Sequence, residues 1–261
     1  VKINRGVLTG YNEAFIIDGK KKDELISKDP KSAEIIKPIL RGKDIRRYYA
    51  DFADLWLIAT HNGYKKENGE KIEAVNIFDY PAIKEWIDTH WEKILKRQDK
   101  GNTPYNLRNC AYQEEFNKEK IIWQEMVQKG NFLFDEKKMF CNDTGRILTG
   151  RNLKYLLAIL NSKLFFYAVK YFYGGGGLGA NGVRMKHTFF ENFSVPKLNI
   201  EKQEPFQSTV DQILIITSDA DYDTKHPPVR QKELEAKIDQ MVYKLYELTP
   251  EEISIVEELC K

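Results

Sequence analysis

The sequence has little cysteine, and this scarcity argues against two kinds of stabilised scaffold. Cys110, Cys141 and Cys260 are the three cysteines among 261 residues, and no two have CxxC spacing. The four histidines do not accompany them in any zinc-binding pattern. We therefore expect neither a disulfide framework nor a structural zinc site. The composition fits a reducing, cytoplasmic environment.

Long apolar runs are also missing. No stretch approaches the roughly 18 consecutive apolar residues of a membrane span, and residues 1–17 lack a secretory signal. We therefore expect no membrane partner. Hydrophobic residues nevertheless make up 42% of the chain and aromatic residues 12%, which predicts a substantial folded core. The length suits one large domain or two small ones.

Catalytic motifs are a third absence. Gly174, Gly176 and Gly179 have the spacing of a dinucleotide-binding loop, but a helical pattern precedes them where that loop requires a strand. Residues 226–229 (HPPV) nearly match the catalytic tetrapeptide of DNA methyltransferases. Imidazole and valine, however, supply neither its amide acceptor nor its base-stacking ring. No Walker loop, Gly-x-Ser-x-Gly or His-Glu-x-x-His occurs. We expect no catalytic residue, metal site or cofactor in this segment.

Acidic residues are missing from one long stretch, residues 144–190, which contains no Asp or Glu in 47 positions. The stretch carries seven basic residues, Arg146, Arg151, Lys154, Lys163, Lys170, Arg184 and Lys186. It also contains four consecutive glycines at 174–177. A basic surface beside a loop rich in exposed backbone favours a polyanion such as nucleic acid as the partner. The alternative interpretation is a solvated helix face followed by a loop.

The charge is unevenly distributed along the chain, although the formal net charge is only +2. Residues 1–50 carry +5, residues 51–143 carry −3, residues 144–190 carry +7 and residues 191–261 carry −7. If the two basic blocks meet in space, they form one patch. We expect the acidic C-terminal part to face away from a phosphate backbone.

The pattern of apolar residues predicts both strands and helices. Residues 6–18 are typical of a hairpin turning at Thr9 and Gly10, and strands are expected at 54–60, 120–126, 132–134 and 138–141. Helices are expected at 81–97, 152–171, 206–217 and 232–248, with a last helix opened by a capping box at 249–252. Because strands and helices do not alternate as βαβ units, the fold class predicted is α+β. The four tryptophans stand in apolar-periodic contexts and are predicted core residues.

Seven phrases, taken in order, resemble one known domain. They are GVLTGYNEAFIID (6–18), IKPILRGKDIRRY (36–48), WLIAT (56–60), KIIW (120–123), YLLAILNSK (155–163), FENFSVP (190–196) and IDQMVYKLYELTPEEI (238–253). Together they are similar to the TaqI-like C-terminal specificity domain, which ends adenine-specific DNA methyltransferases and fused type IIG restriction–modification enzymes. The similarity spans nearly the whole chain.

This resemblance implies a mixed or antiparallel sheet with a long helix after it and a C-terminal helical pair. Residues 1–200 would form the target-recognition core, and residues 201–261 a helical region packed on it. The chain would be an excised C-terminal part that recognises a sequence in double-stranded DNA. The upstream part would hold the adenine methyltransferase with its S-adenosylmethionine and, where present, a nuclease with Mg²⁺.

Candidate contact residues follow from the chemistry of DNA. Lys and Arg neutralise phosphates, whereas Arg, Asn and Gln recognise base edges. The candidate phosphate contacts are Lys2, Arg41, Lys43, Arg46, Arg47 and Lys186. The candidate base-reading residues are Arg5, Asn12, Asn106, Arg108, Asn181 and Arg184. Each could instead be a solvated surface charge or a turn-forming residue.

Three other hypotheses remain open. The chain could be an unrecognised nuclease or a degenerate methyltransferase, which metal-dependent cleavage or binding of the methyl donor would reveal. It could also be a protein-interaction module that uses its C-terminal helices, in which case binding would be insensitive to salt. Finally, the parent could be a methyltransferase of a phage-exclusion system.

Overall fold

A four-stranded antiparallel sheet lies at the centre of the fold. The computed structural model describes residues 1–173 and 182–259. The strands are β1 (Lys2–Arg5), β2 (Ile16–Asp18), β3 (Ile36–Leu40), β4 (Ile45–Arg46), β5 (Tyr49–Ala50), β6 (Leu55–Ile58), β7 (Tyr64–Lys65), β8 (Lys71–Ile72), β9 (Lys120–Gln124), β10 (Met126–Val127), β11 (Phe132–Asp135), β12 (Phe140–Cys141), β13 (Gly145–Thr149) and β14 (Val183–Arg184). The central sheet has the order β1-β13-β9-β11.

Four α-helices lie between β1 and β9 in the sequence, and six more follow β13 in the part of the chain that the structure describes. They are α1 (Asn12–Phe15), α2 (Gly19–Lys28), α3 (Pro81–Asp88), α4 (Trp91–Lys96), α5 (Leu153–Leu160), α6 (Lys163–Ala168), α7 (His187–Phe190), α8 (Ile200–Thr217), α9 (Val229–Leu245) and α10 (Pro250–Leu259). A π-helical turn, Val169–Tyr173, follows α6. Within the two described ranges, no helix is both long and apolar enough to span a membrane.

A second sheet of order β12-β3-β6-β2 packs beside the central one. β12 runs parallel to β3, and the other two pairs are antiparallel. The predicted α+β class with mixed and antiparallel sheets is therefore confirmed. Two-stranded ribbons complete the strand pairing: β4 with β5, β7 with β8, and β10 with β14.

The central sheet separates two hydrophobic cores because side chains alternate across a strand. Ile122 of β9, opposite Leu133 and Ile147, belongs to the core formed with residues of the N-terminal half. Ile121 and Trp123 belong to the core formed with the later helices. Because both faces are covered, β9 is apolar at consecutive positions rather than at alternate ones.

The C-terminal helices complete the second core. α8 packs against α5 and α9, and α10 packs against α6. Val210 and Ile213 of α8 and Ile238 and Val242 of α9 are fully buried there. α5 shares this core with α8 and α9. The division of the chain into a recognition core (1–200) and a helical region (201–261) stays a prediction.

The helix predicted at 152–171 is interrupted at Asn161 and Ser162. The Asn161 amide bonds both backbone groups of Phe132, accepting from its N–H at 3.0 Å and donating to its carbonyl at 2.8 Å. The Ser162 hydroxyl accepts from the Phe165 N–H at 3.2 Å and caps α6. The break therefore fixes the helical segment to strand β11. The helix predicted at 81–97 is likewise divided, into α3 and α4.

One strand prediction was wrong, and several strands were not predicted, including β1, β3 and β13. The segment 6–18 does not form a hairpin: Thr9 donates to the Asn12 side chain at 2.6 Å where α1 begins, and only β2 follows as a strand. Strand β13 was missed, because Arg146 in its interior breaks the apolar pattern. The tryptophans also differ in burial: Trp123 is in the core, Trp56 and Trp86 are half-buried, and Trp91 is exposed.

A buried arginine, Arg97, holds the loop after α4. Its guanidinium donates to the carbonyls of Asp99 and Pro104 at 3.0 Å each, and also to those of Thr9 and Asn106. The side chain stacks on Phe15, with the guanidinium carbon 4.3 Å from the ring centre. Burial lowers the pKa of Arg97 to about 10. One cation thus joins four backbone carbonyls.

Arg97→Lys is expected to lower the free energy of unfolding by about 1–3 kcal/mol, because an ammonium cannot reach carbonyls spread around a planar guanidinium. Urea denaturation monitored by tryptophan fluorescence measures the change. The neighbouring exposed Lys96, changed to Ala, should stay within about 0.5 kcal/mol. Equal effects of the two variants would show that the Arg97 contacts do not stabilise the loop.

Candidate nucleic-acid interface

One end of the central sheet gathers chain segments that are far apart in sequence. We call it the sheet end, and it comprises Arg5, residues 41–46, 124–126, 142–146 and 183–186. Backbone hydrogen bonds join these segments: Gly6 N–H to the Gly145 carbonyl at 3.0 Å, Glu125 N–H to Thr144 at 3.0 Å, and Met185 N–H to Glu125 at 2.6 Å. The surface is therefore built on paired strands and not on isolated loops.

Gly42 brings the basic segment 41–46 against this end. A Cβ at Gly42 would lie 2.9 Å from the Thr144 hydroxyl oxygen and 3.0 Å from Cγ of Gln124, so a side chain would displace both. The absence of a side chain thus permits a close approach of the two segments. The approach carries Lys43 and Arg46 towards the strand termini.

The basic residues of 41–46 differ in how firmly they are held. Arg41 forms a two-point ion pair with buried Asp44, at 2.9 and 2.8 Å, and this hydrogen bonding raises the pKa of Arg41. Arg46 donates to the Lys43 carbonyl and lies 3.5 Å from Asp51. Lys43 is exposed, and the described residues supply no partner for its ammonium group. Lys43 is therefore the cation of this segment that is most available to a phosphate.

Two arginines face each other across β1 and β13. Arg5 pairs in register with Arg146 and donates to the Asp143 carboxylate and carbonyl, both at 3.2 Å. Arg146 is almost buried and donates to the carbonyls of Asp143 and Gly145 at 3.1 Å each. Its Nη2 donates to the Glu125 carboxylate at 2.5 Å. The charge of buried Arg146 is thus neutralised by Glu125, whereas the Arg5 side chain, which is 50% exposed, remains accessible to a ligand.

A basic cleft of about 740 Å³ adjoins the sheet end, between residues 124–131 and the helical segment 161–170. Its cationic lining residues are Arg47, Lys129, Lys163 and Lys170. Among the described lining residues there is no Asp or Glu. Exposed Met126 lines its mouth. Arg47 and Lys163 are paired with acidic residues of the C-terminal helices, so Lys129 and Lys170 contribute most of the positive field that the cleft offers an anionic ligand.

Residues 174–181 lie outside the described part of the chain, between the π-helical turn at 169–173 and β14. The turn contains Lys170, and β14 pairs with β10 at Met126 and Val127. The predicted base-reading residue Asn181 lies outside the described residues. Arg184 and Lys186, on its C-terminal side, lie at the sheet end.

Arg108 flanks the sheet end on the Arg5 side. Arg5 and Arg108 both lie close enough to Tyr112 to oppose the increase in its pKa that burial causes. Arg108 also pairs with Asp99 at 2.9 Å, and its side chain is 54% exposed. These neighbours extend the positive surface from β1 to the loop that Arg97 supports.

Three predicted residues do not join this surface. Lys2 lies at the opposite end of β1, where it pairs with Glu67 and, at 3.3 Å, with Glu115. Asn12 is exposed at the start of α1. Asn106 is 2% exposed, and its side chain bonds Thr103 at 2.6 Å and the Val75 carbonyl at 2.9 Å. Assigning Asn106 to base recognition was wrong, because its amide holds the loop core.

The acidic C-terminal helices form ion pairs with several of the basic residues, whereas the expectation that they face away from a phosphate backbone stays a prediction. Arg47 pairs with Glu235 of α9 at 3.1 Å, and Lys154 pairs with Asp211 of α8 at 2.5 Å. Lys163 pairs with Glu257 of α10. Burial opposes the charge on Arg47, but Glu235, Tyr48 and Asp239 outweigh it, so the pKa of Arg47 is raised. The apolar packing of these helices brings their acidic rims onto the basic stretch.

Sequence reasoning missed several residues of the sheet end. Gln124 lines the cleft half-buried, Glu125 bonds two arginines, and Lys129 adds a cation to the cleft. Their common signal is position: all three stand at or just after the end of an apolar strand. Such a signal has no meaning until the strand pairing is known.

Comparisons with known proteins bear on this surface. The family model of the TaqI-like C-terminal specificity domain matches residues 37–176. No curated protein matches the chain.

Two solved structures share the fold at low sequence identity. A structure of the Type IIL restriction–modification enzyme MmeI in complex with DNA is similar with a TM-score of 0.74 at 14% identity, over 98% of this chain and 35% of that one. The type IIG restriction endonuclease BpuSI is similar with a TM-score of 0.51 at 15% identity, over 93% of this chain and 30% of that one. The chain thus spans about a third of the length of these proteins.

Proposed function

Because the chain belongs to the TaqI-like C-terminal specificity domain family, we propose that it recognises a target sequence in double-stranded DNA for a restriction–modification enzyme. The observation that carries the proposal is the sheet end, where basic and amide side chains from five segments far apart in sequence meet beside a basic cleft. Affinity would come from phosphate contacts and specificity from base edges.

The two tasks fall to different residues. We assign phosphate contacts to exposed or cleft-lining cations, namely Lys43, Arg46, Lys129, Lys170 and Lys186. We assign base recognition to Arg5, Arg184 and Gln124, whose guanidinium or amide groups can make two-point contacts in the major groove. Arg108 would extend the surface, and Asn181 remains a sequence-based candidate. We assign no DNA contact to Lys2, Asn12, Arg41 and Arg47, because Lys2 and Asn12 lie away from the sheet end and Arg41 and Arg47 are ion-paired within the chain.

The catalytic chemistry would belong to the rest of a longer protein. In MmeI and BpuSI, about two thirds of the chain lies outside the part that this domain covers. We place an adenine methyltransferase, its S-adenosylmethionine and any nuclease with Mg²⁺ in such a part. In residues 1–173 and 182–259, no three His, Cys, Asp or Glu side chains form a group suited to a metal ion. The domain would hold the catalytic part in register on cytoplasmic DNA.

The alternative is a protein-interaction surface on the C-terminal helices. Ile200 and Ile215 of α8 and Val229 of α9 are each more than 70% exposed. Such residues suit an apolar contact whose strength does not fall with salt. Salt dependence therefore separates this alternative from DNA binding.

The test is fluorescence anisotropy of a labelled duplex titrated with the chain between about 50 and 200 mM salt. Five phosphate contacts predict that affinity falls several hundredfold over this range, because counterions are released on binding. Absence of binding at the lower salt concentration would contradict the proposal. Affinity that does not change with salt would favour the alternative.

A further inference from the structure

Glu125 contacts two arginines of the sheet end through its two carboxylate oxygens, Arg146 by a hydrogen bond and Arg184 by an ion pair. Its Oε2 accepts from Nη2 of Arg146 at 2.5 Å, and its Oε1 lies 3.3 Å from Nε of Arg184. The carboxylate is only 16% exposed. The backbone of Glu125 is held as well, by the Thr144 carbonyl at 3.0 Å and by the Met185 N–H at 2.6 Å.

The two arginines are not equivalent. The Arg146 side chain is 7% exposed and makes two further bonds to backbone carbonyls, so it anchors the carboxylate. The Arg184 side chain is 45% exposed, and in the described residues only its Nε is engaged. Its terminal Nη1 and Nη2 groups have no partner there.

We propose that Glu125 is a positioning residue that holds Arg184 end-on, so that its two terminal nitrogens recognise a guanine in the target. This inference rests on the proposed function. A guanidinium has five N–H donors in a fixed plane, and a carboxylate paired at the Nε side leaves the outer edge with two parallel donors. Guanine presents O6 and N7 as two acceptors in the major groove, and this pairing is the commonest specific contact of arginine with DNA.

The surroundings of Glu125 indicate that it holds Arg184 in place and does not release it when DNA binds. Release would require Glu125 to move when DNA binds, yet both its backbone and its second oxygen are already engaged. Arg184 is also fixed near its backbone, because β14 pairs with β10 in the register Arg184 to Met126. Arg184 is therefore held at its backbone and at Nε before DNA binds. This pre-organisation lowers the entropy cost of the contact.

The test selects from a randomised duplex pool with four proteins: the unchanged chain, Glu125→Gln, Arg184→Ala and the double variant. For the unchanged chain we expect a guanine at one position of the enriched motif. Glu125→Gln should reduce that preference about tenfold and leave the other positions unchanged. The double variant should match Arg184→Ala alone, because Glu125 acts through Arg184.

Two further variants keep the test decisive. Arg184→Lys keeps the charge but lacks Nε and the planar edge, so it should lose the guanine preference. If Glu125→Gln does not fold, by circular dichroism, Glu125→Asp replaces it: the charge stays, the carboxylate retracts by one methylene, and the preference should fall. Glu233→Gln, which frees Arg230 on α9 from a 3.3 Å pair, is the matched control and should leave the motif unchanged.

The outcomes distinguish the inference from the function on which it rests. Failure of the unchanged chain to enrich any motif would overturn the proposed function and this inference with it. An enriched motif that Glu125→Gln or its Asp substitute leaves unchanged would overturn this inference alone. So would additive losses in the double variant, which would mean that Glu125 acts independently of Arg184.

Discussion

Replacing Arg5, Lys43 and Arg184 together by alanine is expected to weaken binding to duplex DNA by about a hundredfold or more. The three cations come from β1, from the loop at Gly42 and from β14, and they converge only if the sheet end is one surface. Loss of a base contact costs about 1–3 kcal/mol of binding free energy. Loss of a phosphate contact reduces, by about one, the slope of the logarithm of affinity against the logarithm of salt concentration. Anisotropy titrations at several salt concentrations measure both quantities.

The matched control removes three charges from elsewhere on the surface. Lys71, Lys93 and Lys202 are exposed and belong to β8, α4 and α8, outside the sheet end. Their replacement by alanine should reduce affinity only slightly and uniformly across sequences. If the two triple variants weaken binding equally, net charge rather than the sheet end determines affinity.

Replacing Asp135 by alanine is expected to lower the free energy of unfolding by about 3–5 kcal/mol. Asp135 bonds Lys120 at 2.5 Å between adjacent strands, and the two side chains are 2% and 0% exposed. Its carboxylate also accepts from the Met139 N–H at 3.0 Å. Without Asp135 the Lys120 ammonium would keep only the Phe116 and Lys118 carbonyls, at 2.8 and 3.3 Å, and no opposite charge. Urea denaturation measures the loss.

The neighbouring Glu136 provides the control, because it is an exposed carboxylate on the same chain segment. Glu136→Ala should change the free energy of unfolding by no more than about 0.5 kcal/mol. Burial lowers the pKa of Lys120 although Asp135 opposes this, so the charge is already costly there. Changing the pair to Met and Leu should therefore recover much of the stability lost in Asp135→Ala. Similar losses for Asp135→Ala and Glu136→Ala would contradict a buried ion pair.

The elements predicted correctly have a local signal. Strands β9 and β11 are short apolar runs, and α8 and α9 bury residues at helical spacing, so neighbouring residues alone indicate them, although α8 begins six residues and α9 three residues before the predicted starts. Thr249 and Glu252 form the predicted capping box, with hydrogen bonds at 2.8 and 3.3 Å. In each case the local preference and the tertiary structure agree.

The elements missed depend on distant partners. Strand β13 contains Arg146, which reads as a surface residue until Glu125 is known to bond it. The break at Asn161 is stabilised by Phe132, across 29 positions of the sequence. Asn106 resembled a residue free to bind a base because its loop is polar, yet Thr103 and Val75 engage it. Sequence spacing does not reveal contacts of this kind.

Some residues of the candidate site could be named from the sequence, but which of them lie together in the fold could not. The basic stretch pointed to Arg184 and Lys186 as candidates, and the resemblance pointed to the TaqI-like specificity-domain family, which the family model confirms. The meeting of Arg5, Lys43 and Arg184 requires the β1-β13-β9 order and the β10–β14 pairing. The net charge of residues 144–190 was misleading for a related reason: α8, α9 and α10 neutralise part of the basic surface through the ion pairs that their packing creates.

The most direct test of the central claim is selection of a randomised duplex DNA pool by the unchanged chain at two salt concentrations, followed by sequencing. Sequence recognition predicts enrichment of one short motif that contains an adenine, with binding that falls steeply as salt rises. Salt-dependent binding without any enriched motif would contradict it, because the sheet end would then be a generic contact with the phosphate backbone.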